Sequence, residues 1–216
     1  FVVPEDPKYG DQWGLDAIDI EGAWGWALEY LWQNAWEDDG NPYDLIENGI
    51  LDEEEAGALL STAESIVVAV IDTGVDATHE DLNGRVLPGY NTISNNQVTA
   101  DDSVNGHGTH VAGIIAAKTN NTREVTGESG EPSEEYIGIA GTAGEFPVSI
   151  LPVKALDSAG IGTMYDVAEA IIWAADQHAR VINLSLGARL FDYPRTLADA
   201  VAYAQNKGAL VVAAAG

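Results

Sequence analysis

Ser65-Ile-Val-Val-Ala-Val-Ile71 is an unbroken apolar run, rich in β-branched residues, that ends directly before Asp72-Thr-Gly74. Continuous apolar character, without alternation of polar residues, predicts a strand that is buried on both faces of a parallel sheet. In parallel α/β sheets, ligands bind at the carboxyl ends of the strands. We therefore expect Asp72, which follows the run, to lie where such a sheet carries its function.

The rest of the chain supplies strands and helices in alternation around this run. We expect helices over 107–118, 163–178 and 196–206, and further strands over 148–155, 179–185 and 209–214. Such alternation is typical of a three-layer α/β sandwich with a mostly parallel central sheet. A Trp-rich helix is predicted over 22–31 and a polar loop over 119–136. The last strand has no polar face, so we expect the isolated chain to be marginally stable or prone to aggregation.

Composition narrows the range of partners. Nine Lys and Arg against 35 Asp and Glu give a formal net charge of −26, which disfavours binding to nucleic acid and to anionic membranes. The acidity suits simple solubility as well as a salt-rich or calcium-rich habitat. The 216 residues contain no cysteine, no run of membrane-spanning length and no signal peptide, so any targeting segment would lie outside them.

Two glycine-containing segments carry the chemistry. They read Val70-Ile-Asp-Thr-Gly-Val-Asp76 and Gly106-His-Gly-Thr-His-Val-Ala-Gly113. An aspartate at a strand end and a histidine at the start of a helix can form an acid–base pair in which the carboxylate orients the imidazole. Two other interpretations exist: Asp72 is an ordinary turn aspartate, or His107 and His110 form a metal pair with Asp101 or Asp102 as a third ligand.

These segments, together with Asp157-Ser-Ala-Gly-Ile-Gly162 and Val181-Ile-Asn-Leu-Ser-Leu-Gly187, resemble the subtilisin-like serine peptidases (subtilases), in particular the thermitase-like branch. The resemblance implies that Asp72 orients His107 and that His107 is the general base. It also implies two substrate-binding groups. Backbone contacts would come from Gly160, Ile161 and Gly162, and the main specificity pocket would be lined by Ser185, Leu186 and Gly187. An exposed, Gly-rich edge of this kind can bind a peptide as an added strand.

The resemblance also implies that one peptidase domain occupies residues 1–216 and that its subtilisin-like fold is incomplete at the C-terminal end. In the family, an oxyanion asparagine follows a strand like the one that ends at Gly216, and the nucleophilic serine comes later. We expect the parent protein to be a secreted endopeptidase acting on polypeptides, with a propeptide outside these residues, and the 216 residues alone to be inactive. Ser185 is a poor alternative nucleophile, because it lacks the strand–turn–helix elbow that exposes such a serine.

Calcium is the cofactor that the resemblance implies. Thermitase-like enzymes hold a structural Ca²⁺ near the N-terminus, and the matching ligands are the side chains of Asp6, Asp81 and Asn121 and the carbonyls of Lys118 and Ile139. Such oxygen ligands suit this cation. An acidic insertion at 122–138 separates two of the ligand segments where the family has a tight loop. We expect the site to be present, and the alternatives are that the insertion reshapes or abolishes it and that these residues are solvated polar groups of the surface. A second acidic insertion, at about 29–57, lacks the spacing of an EF-hand calcium loop.

Two non-catalytic functions stay open from the sequence. The first is a pseudopeptidase that keeps the cleft and binds peptides without cleaving them. The second is a calcium-dependent structural domain. Intact aspartate and histidine segments favour the peptidase.

Overall fold

The computed structural model describes residues 6–12, 23, 65–126, 132–144, 146–188 and 194–215. The chain divides into two compact units. The first comprises residues 1–65 and 117–147, and the second comprises residues 66–116 and 148–216. The predicted helix at 22–31, apart from Ala23, and the acidic segment at 29–57 lie outside the described residues.

The described elements follow in chain order. The strands are β1 (Ile66–Asp72), β2 (Tyr90–Asn91), β3 (Thr122–Thr126), β4 (Pro132–Tyr136), β5 (Val148–Lys154), β6 (Val181–Leu184) and β7 (Leu210–Ala213). The α-helices are α1 (His107–Ala116), α2 (Met164–Asp176) and α3 (Arg195–Asn206). Short 3₁₀ turns span Tyr9–Asp11 and Glu80–Leu82.

The second unit is built on a five-stranded parallel sheet in the order β2-β5-β1-β6-β7. Strand β1 lies at its centre, paired with β5 on one side and β6 on the other. Its continuous apolar sequence is explained by this position, because a central strand of a covered parallel sheet is buried on both faces. The predicted mostly parallel sheet is therefore confirmed.

Each face of the sheet has its own apolar core. Val68 and Val70 of β1 pack on one face with residues of α1, whereas Ala69 and Ile71 pack on the other with residues of α2 and α3. Successive side chains of a strand point to opposite faces, so a single apolar strand contributes to both cores. Helix, sheet and helix thus form the three layers expected from the sequence.

Helix boundaries in this unit follow local signals. Thr163 and Asp166 form a reciprocal capping box at the start of α2, with the Thr163 side chain accepting from the Asp166 amide. At the other end of the unit, β7 pairs with β6 alone among the described strands, and Leu210 and Val212 are exposed. No helix in the described ranges has the length and apolarity needed to cross a bilayer.

In the first unit, the prediction of a polar loop over 119–136 is wrong. Strands β3 and β4 form an antiparallel hairpin with Thr122 opposite Tyr136 and Thr126 opposite Pro132. The ladder is continued at its base by a hydrogen bond from the Ile137 amide to the Asn121 carbonyl. The polar composition concealed this element, because a hairpin without a buried face gives no apolar alternation in sequence.

Candidate functional site

Asp72 and His107 meet at the carboxyl end of β1. Asp72 is the last residue of the strand and is fully buried, while His107 begins α1 with its side chain 49% exposed. His107 Nδ1 lies 2.7 Å from Asp72 Oδ1, which also accepts a hydrogen bond from the Thr73 amide. The structure therefore brings together the two residues that the sequence predicted to form an acid–base pair.

This arrangement prepares the imidazole for proton transfer. A carboxylate that accepts from Nδ1 fixes the tautomer with its proton on that nitrogen, so Nε2 is the nitrogen that can accept another proton. Asp72 is also placed to stabilise the imidazolium once it forms. Its second oxygen, Oδ2, is buried and has no hydrogen-bond partner within the described part of the chain.

Close backbone packing sets this geometry. A Cβ on Gly108 would lie 2.1 Å from the carbonyl oxygen of Gly74 and 3.1 Å from the Cβ of Asp72. Gly74 has a positive φ of 110°, and a Cβ there would lie 2.5 Å from the Thr99 carbonyl oxygen. Only glycine permits this conformation and this contact, so the glycines of the two segments let the helix start lie against the strand end.

Asp101 joins the two segments, a role that no local sequence pattern predicts. Its Oδ1 accepts from the Thr73 hydroxyl and from the amide and hydroxyl of Ser103. Its Oδ2 accepts from the amide and hydroxyl of Thr109. Thr73 in turn accepts from the Gly108 amide at 3.0 Å. One carboxylate thereby links the residue after Asp72 to the first turn of the His107 helix.

The pKa of Asp101 reflects this set of donors. Burial acts to raise the pKa, but the hydrogen bonds from Ser103 and Thr109 outweigh it and hold the pKa below the ordinary value. These bonds also bear on the alternative metal site. A carboxylate that already accepts five hydrogen bonds has little capacity left for a cation, and His107 Nδ1 is engaged by Asp72. Within the described ranges, no three His, Asp or Glu side chains are grouped to hold a metal.

The predicted substrate-binding edge, Gly160 to Gly162, is exposed and shaped by Asp157. The Asp157 amide donates to the Ile161 carbonyl, and the Asp157 carboxylate accepts from the Ile161 amide at 3.0 Å. Gly160 has a positive φ of 75°, and a Cβ on Gly162 would lie 2.1 Å from the Ala155 carbonyl oxygen. The segment is thus a closed, preformed loop with the Ile161 side chain 67% exposed.

The predicted pocket residues Ser185, Leu186 and Gly187 follow the carboxyl end of β6. Leu186 packs against the apolar core, and Gly187 is exposed. The Ser185 hydroxyl accepts a hydrogen bond from the side-chain amide of Asn183 at 2.9 Å. An amide cannot take a proton from a serine, so this contact does not activate Ser185 as a nucleophile.

The predicted calcium ligands are divided between the two units. In the first unit, Asp6 is buried and its Oδ2 accepts from the Asn120 amide at 3.0 Å. The Ile137 amide donates to the Asn121 carbonyl, and the Gly141 amide donates to the Ala117 carbonyl. These two hydrogen bonds, on either side of Ile139, join the two ends of the inserted segment. Lys118 belongs to the same unit. In the second unit, Asp81 is buried and its amide donates to His79 Nδ1.

Much of this chain is similar in sequence to known proteins. The model of the subtilase family matches residues 63–216. A thermophilic serine proteinase from Bacillus sp. (strain AK1) is 52% identical over 149 residues, which are 69% of this chain and 32% of that protein. Thermitase from Thermoactinomyces vulgaris is 46% identical over 149 residues, covering 69% of this chain and 46% of thermitase.

A solved structure has a similar fold. The crystal structure of a cold adapted subtilisin-like serine proteinase matches with a TM-score of 0.51 and 30% identity, over 70% of this chain and 46% of that one. The chain thus spans about a third to a half of the length of these three proteins.

Proposed function

Because the chain belongs to the subtilase family, we propose that the protein containing these residues is a serine endopeptidase. The observation that carries the proposal is the buried carboxylate of Asp72 at 2.7 Å from Nδ1 of the half-exposed His107. The serine that completes the triad is proposed to lie outside residues 1–216. The engagement of Ser185 by Asn183 supports this assignment.

The proposed reaction is acyl transfer through His107. Nε2 takes the serine hydroxyl proton as the serine oxygen attacks the peptide carbonyl carbon, and Asp72 stabilises the resulting imidazolium. Collapse of the tetrahedral adduct breaks the C–N bond, and His107 returns the proton to the departing amine. Water then attacks the acyl-enzyme by the same route, which releases the acid and regenerates the serine.

The proposed substrate is an extended polypeptide. The backbone groups of Gly160 to Gly162 that are not bonded to Asp157 can pair with it as an added strand, and Ser185 to Gly187 would line the pocket for one side chain. Main-chain pairing gives affinity that does not depend on sequence, while the pocket selects among side chains. Asp157 supports the pairing, because its hydrogen bonds to the segment hold the edge in one conformation.

The test uses the protein expressed from its complete gene. We expect it to hydrolyse an unstructured polypeptide, to be inactivated by a serine-directed covalent sulfonyl fluoride, and to lose turnover in His107→Ala. Asp199→Asn, an exposed position on α3, is the matched control and should keep full activity. Binding of peptide without cleavage by the unmodified protein would instead show a pseudopeptidase, and the catalytic proposal would be abandoned.

Calcium binding is proposed for Asp6, Asp81, Asn121 and the carbonyls of Lys118 and Ile139. The presence of two buried acidic residues, Asp6 and Asp81, among the predicted ligands supports it, since hard oxygen donors suit Ca²⁺. When bound, the ion would fix the segments that carry its ligands. We expect Ca²⁺ to raise the melting temperature of the wild type and to do so much less in Asp6→Asn. An equal rise in both proteins would remove Asp6 from the site.

Export from the cell and an N-terminal propeptide are proposed on the basis of family membership alone. The net charge of −26 supports the proposal that neither nucleic acid nor an anionic membrane is a partner. Retention of the protein by a polyanionic resin at moderate salt would contradict this part of the proposal.

A further inference from the structure

Lys154 is a buried lysine that the proposed reaction does not use. It is the last residue of β5, directly opposite Asp72 in the register of β1, and only 8% of its side chain is exposed. Its Nζ donates to the carbonyl of Thr73, to the carbonyl of Leu156 at 3.0 Å and to Asp102 Oδ1 at 2.7 Å. An ammonium group has three donors, so these three acceptors satisfy it.

The three acceptors belong to three different parts of the site. Thr73 follows the proposed catalytic acid, and Asp102 lies in the segment that leads into the His107 helix. Leu156 directly precedes the 157–162 edge segment. Backbone hydrogen bonds also join two of these parts, because the amides of Ala155 and Leu156 both donate to the Asp72 carbonyl. The lysine therefore lies where the acid, the base and the substrate-binding edge converge.

Burial strengthens the two bonds from Lys154 to the carbonyls, whereas the side chain of Asp102 is 63% exposed. The other lysine ion pairs with described geometry, Lys8 with Asp11 and Lys207 with Asp176, have side chains that are about half exposed or more. Water competes with such surface pairs, and they constrain little. At Lys154 water is excluded, so the loss of the ammonium leaves two buried carbonyls without their donor.

We infer that Lys154 is a positioning residue that holds the Asp72 turn, the segment before His107 and the 157–162 edge in one relative arrangement. It does not touch the reacting atoms and acts through the residues it binds. The kinetic part of this inference rests on the proposed peptidase function, whereas its structural part stands independently of it.

The test compares three variants in the protein expressed from its complete gene. Lys154→Met keeps the length of the side chain and removes the three donors. Asp102→Ala removes the exposed acceptor and leaves both carbonyl contacts, so it is expected to fold even if Lys154→Met does not. Ile171→Ala, a fully buried core residue of α2, is the control for general loss of stability.

The first readout is hydrogen exchange at the amides of residues 107–109 and 157–162. We expect exchange at both segments to become about 10- to 100-fold faster in Lys154→Met and to stay near the wild-type rate in Ile171→Ala. Asp102→Ala should speed exchange at 107–109 only. Wild-type exchange rates at both segments in folded Lys154→Met, or at 107–109 in Asp102→Ala, would overturn the inference.

The second readout is hydrolysis of an extended peptide well below the melting temperature of every variant. We expect kcat/KM to fall roughly 10- to 100-fold in Lys154→Met, with both kcat and KM affected, because misplacing catalytic groups by about 1 Å costs up to about 100-fold. Ile171→Ala should stay close to wild type. Wild-type kinetics in Lys154→Met overturn the inference. An inactive wild type refutes the proposed function instead, and hydrogen exchange then decides the role of Lys154.

Discussion

Replacing Asp101 by Asn tests whether one carboxylate holds the Asp72 turn and the His107 helix together. Asp101 accepts five hydrogen bonds, two of which come from backbone amides, those of Ser103 and Thr109. These amides donate to different oxygens. An asparagine has a single acceptor oxygen, so one backbone amide must face its NH₂ group in either orientation, whereas the threonine and serine hydroxyls can rotate to accept.

The expected loss of stability follows from the number of hydrogen bonds that are lost or weakened. Loss of one hydrogen bond to a charged acceptor is worth about 1.5–3 kcal/mol, and the remaining bonds weaken with the charge removed. We expect Asp101→Asn to lower the free energy of unfolding by roughly 3 kcal/mol. For a chain of this size, that corresponds to a decrease in melting temperature of about 6–12 °C.

The assay is chemical denaturation at neutral pH and again in acid. The pKa of Asp101 is lowered from 3.8: burial opposes ionisation, but the hydrogen bonds from Ser103 and Thr109 outweigh it. The group therefore contributes stability that is complete above its unfolded value of 3.8 and is lost as the pH falls through the lower folded value. The difference between wild type and Asp101→Asn should shrink over that acid range.

The exposed Asp199→Asn is the control and should change stability by less than about 0.5 kcal/mol at either pH. An Asp101→Asn variant that matches this control at neutral pH would refute the proposed link. A difference of undiminished size below the folded pKa would show that the loss arises from side-chain shape and not from the charge.

Three further outcomes are expected. Asp72→Asn should reduce kcat of the active protein by about 10⁴-fold with little change in KM, because the amide no longer fixes the imidazole tautomer. Steady-state kinetics would check this in a variant whose circular dichroism spectrum is unchanged. A rise in KM with unchanged kcat would contradict it. Gly108→Ala should be severely destabilised, since its Cβ would lie 2.1 Å from the Gly74 carbonyl oxygen. Gly187→Ala, whose Cβ would have no atom within 4 Å, should melt at the wild-type temperature. Equal melting temperatures of the two variants would exclude the close contact at Gly108. Thr163→Ala removes the capping box of α2 and should lower the free energy of unfolding by about 1 kcal/mol, which corresponds to a decrease in melting temperature of about 2–4 °C. An unchanged melting temperature would show that the cap does not contribute to stability.

Much of the second unit could be predicted from local sequence. The apolar run before Asp72 indicates a central strand, and the predicted helix over 163–178 matches Met164–Asp176. These signals are local, because burial on two faces or on one helical stripe fixes which neighbouring positions are apolar. The β3–β4 hairpin gave no such signal: its strands carry Arg, Glu, Ser and Thr, and it is defined by backbone pairing and an exposed ion pair between Arg123 and Glu135.

In the candidate site, too, some features could be predicted from local sequence and others could not. The two segments that carry Asp72 and His107 can be identified from the sequence, because their glycines and polar residues are adjacent along the chain. The roles of Asp101, which joins these segments, and of Lys154, which binds Thr73, Asp102 and Leu156, follow from the folded structure and not from any local pattern. The most distant of these contacts links residues 81 positions apart. A partly buried carboxylate or a buried ammonium bonds to whichever donors and acceptors the fold brings to it. Those partners depend on how strands pair and helices pack, which local sequence does not specify.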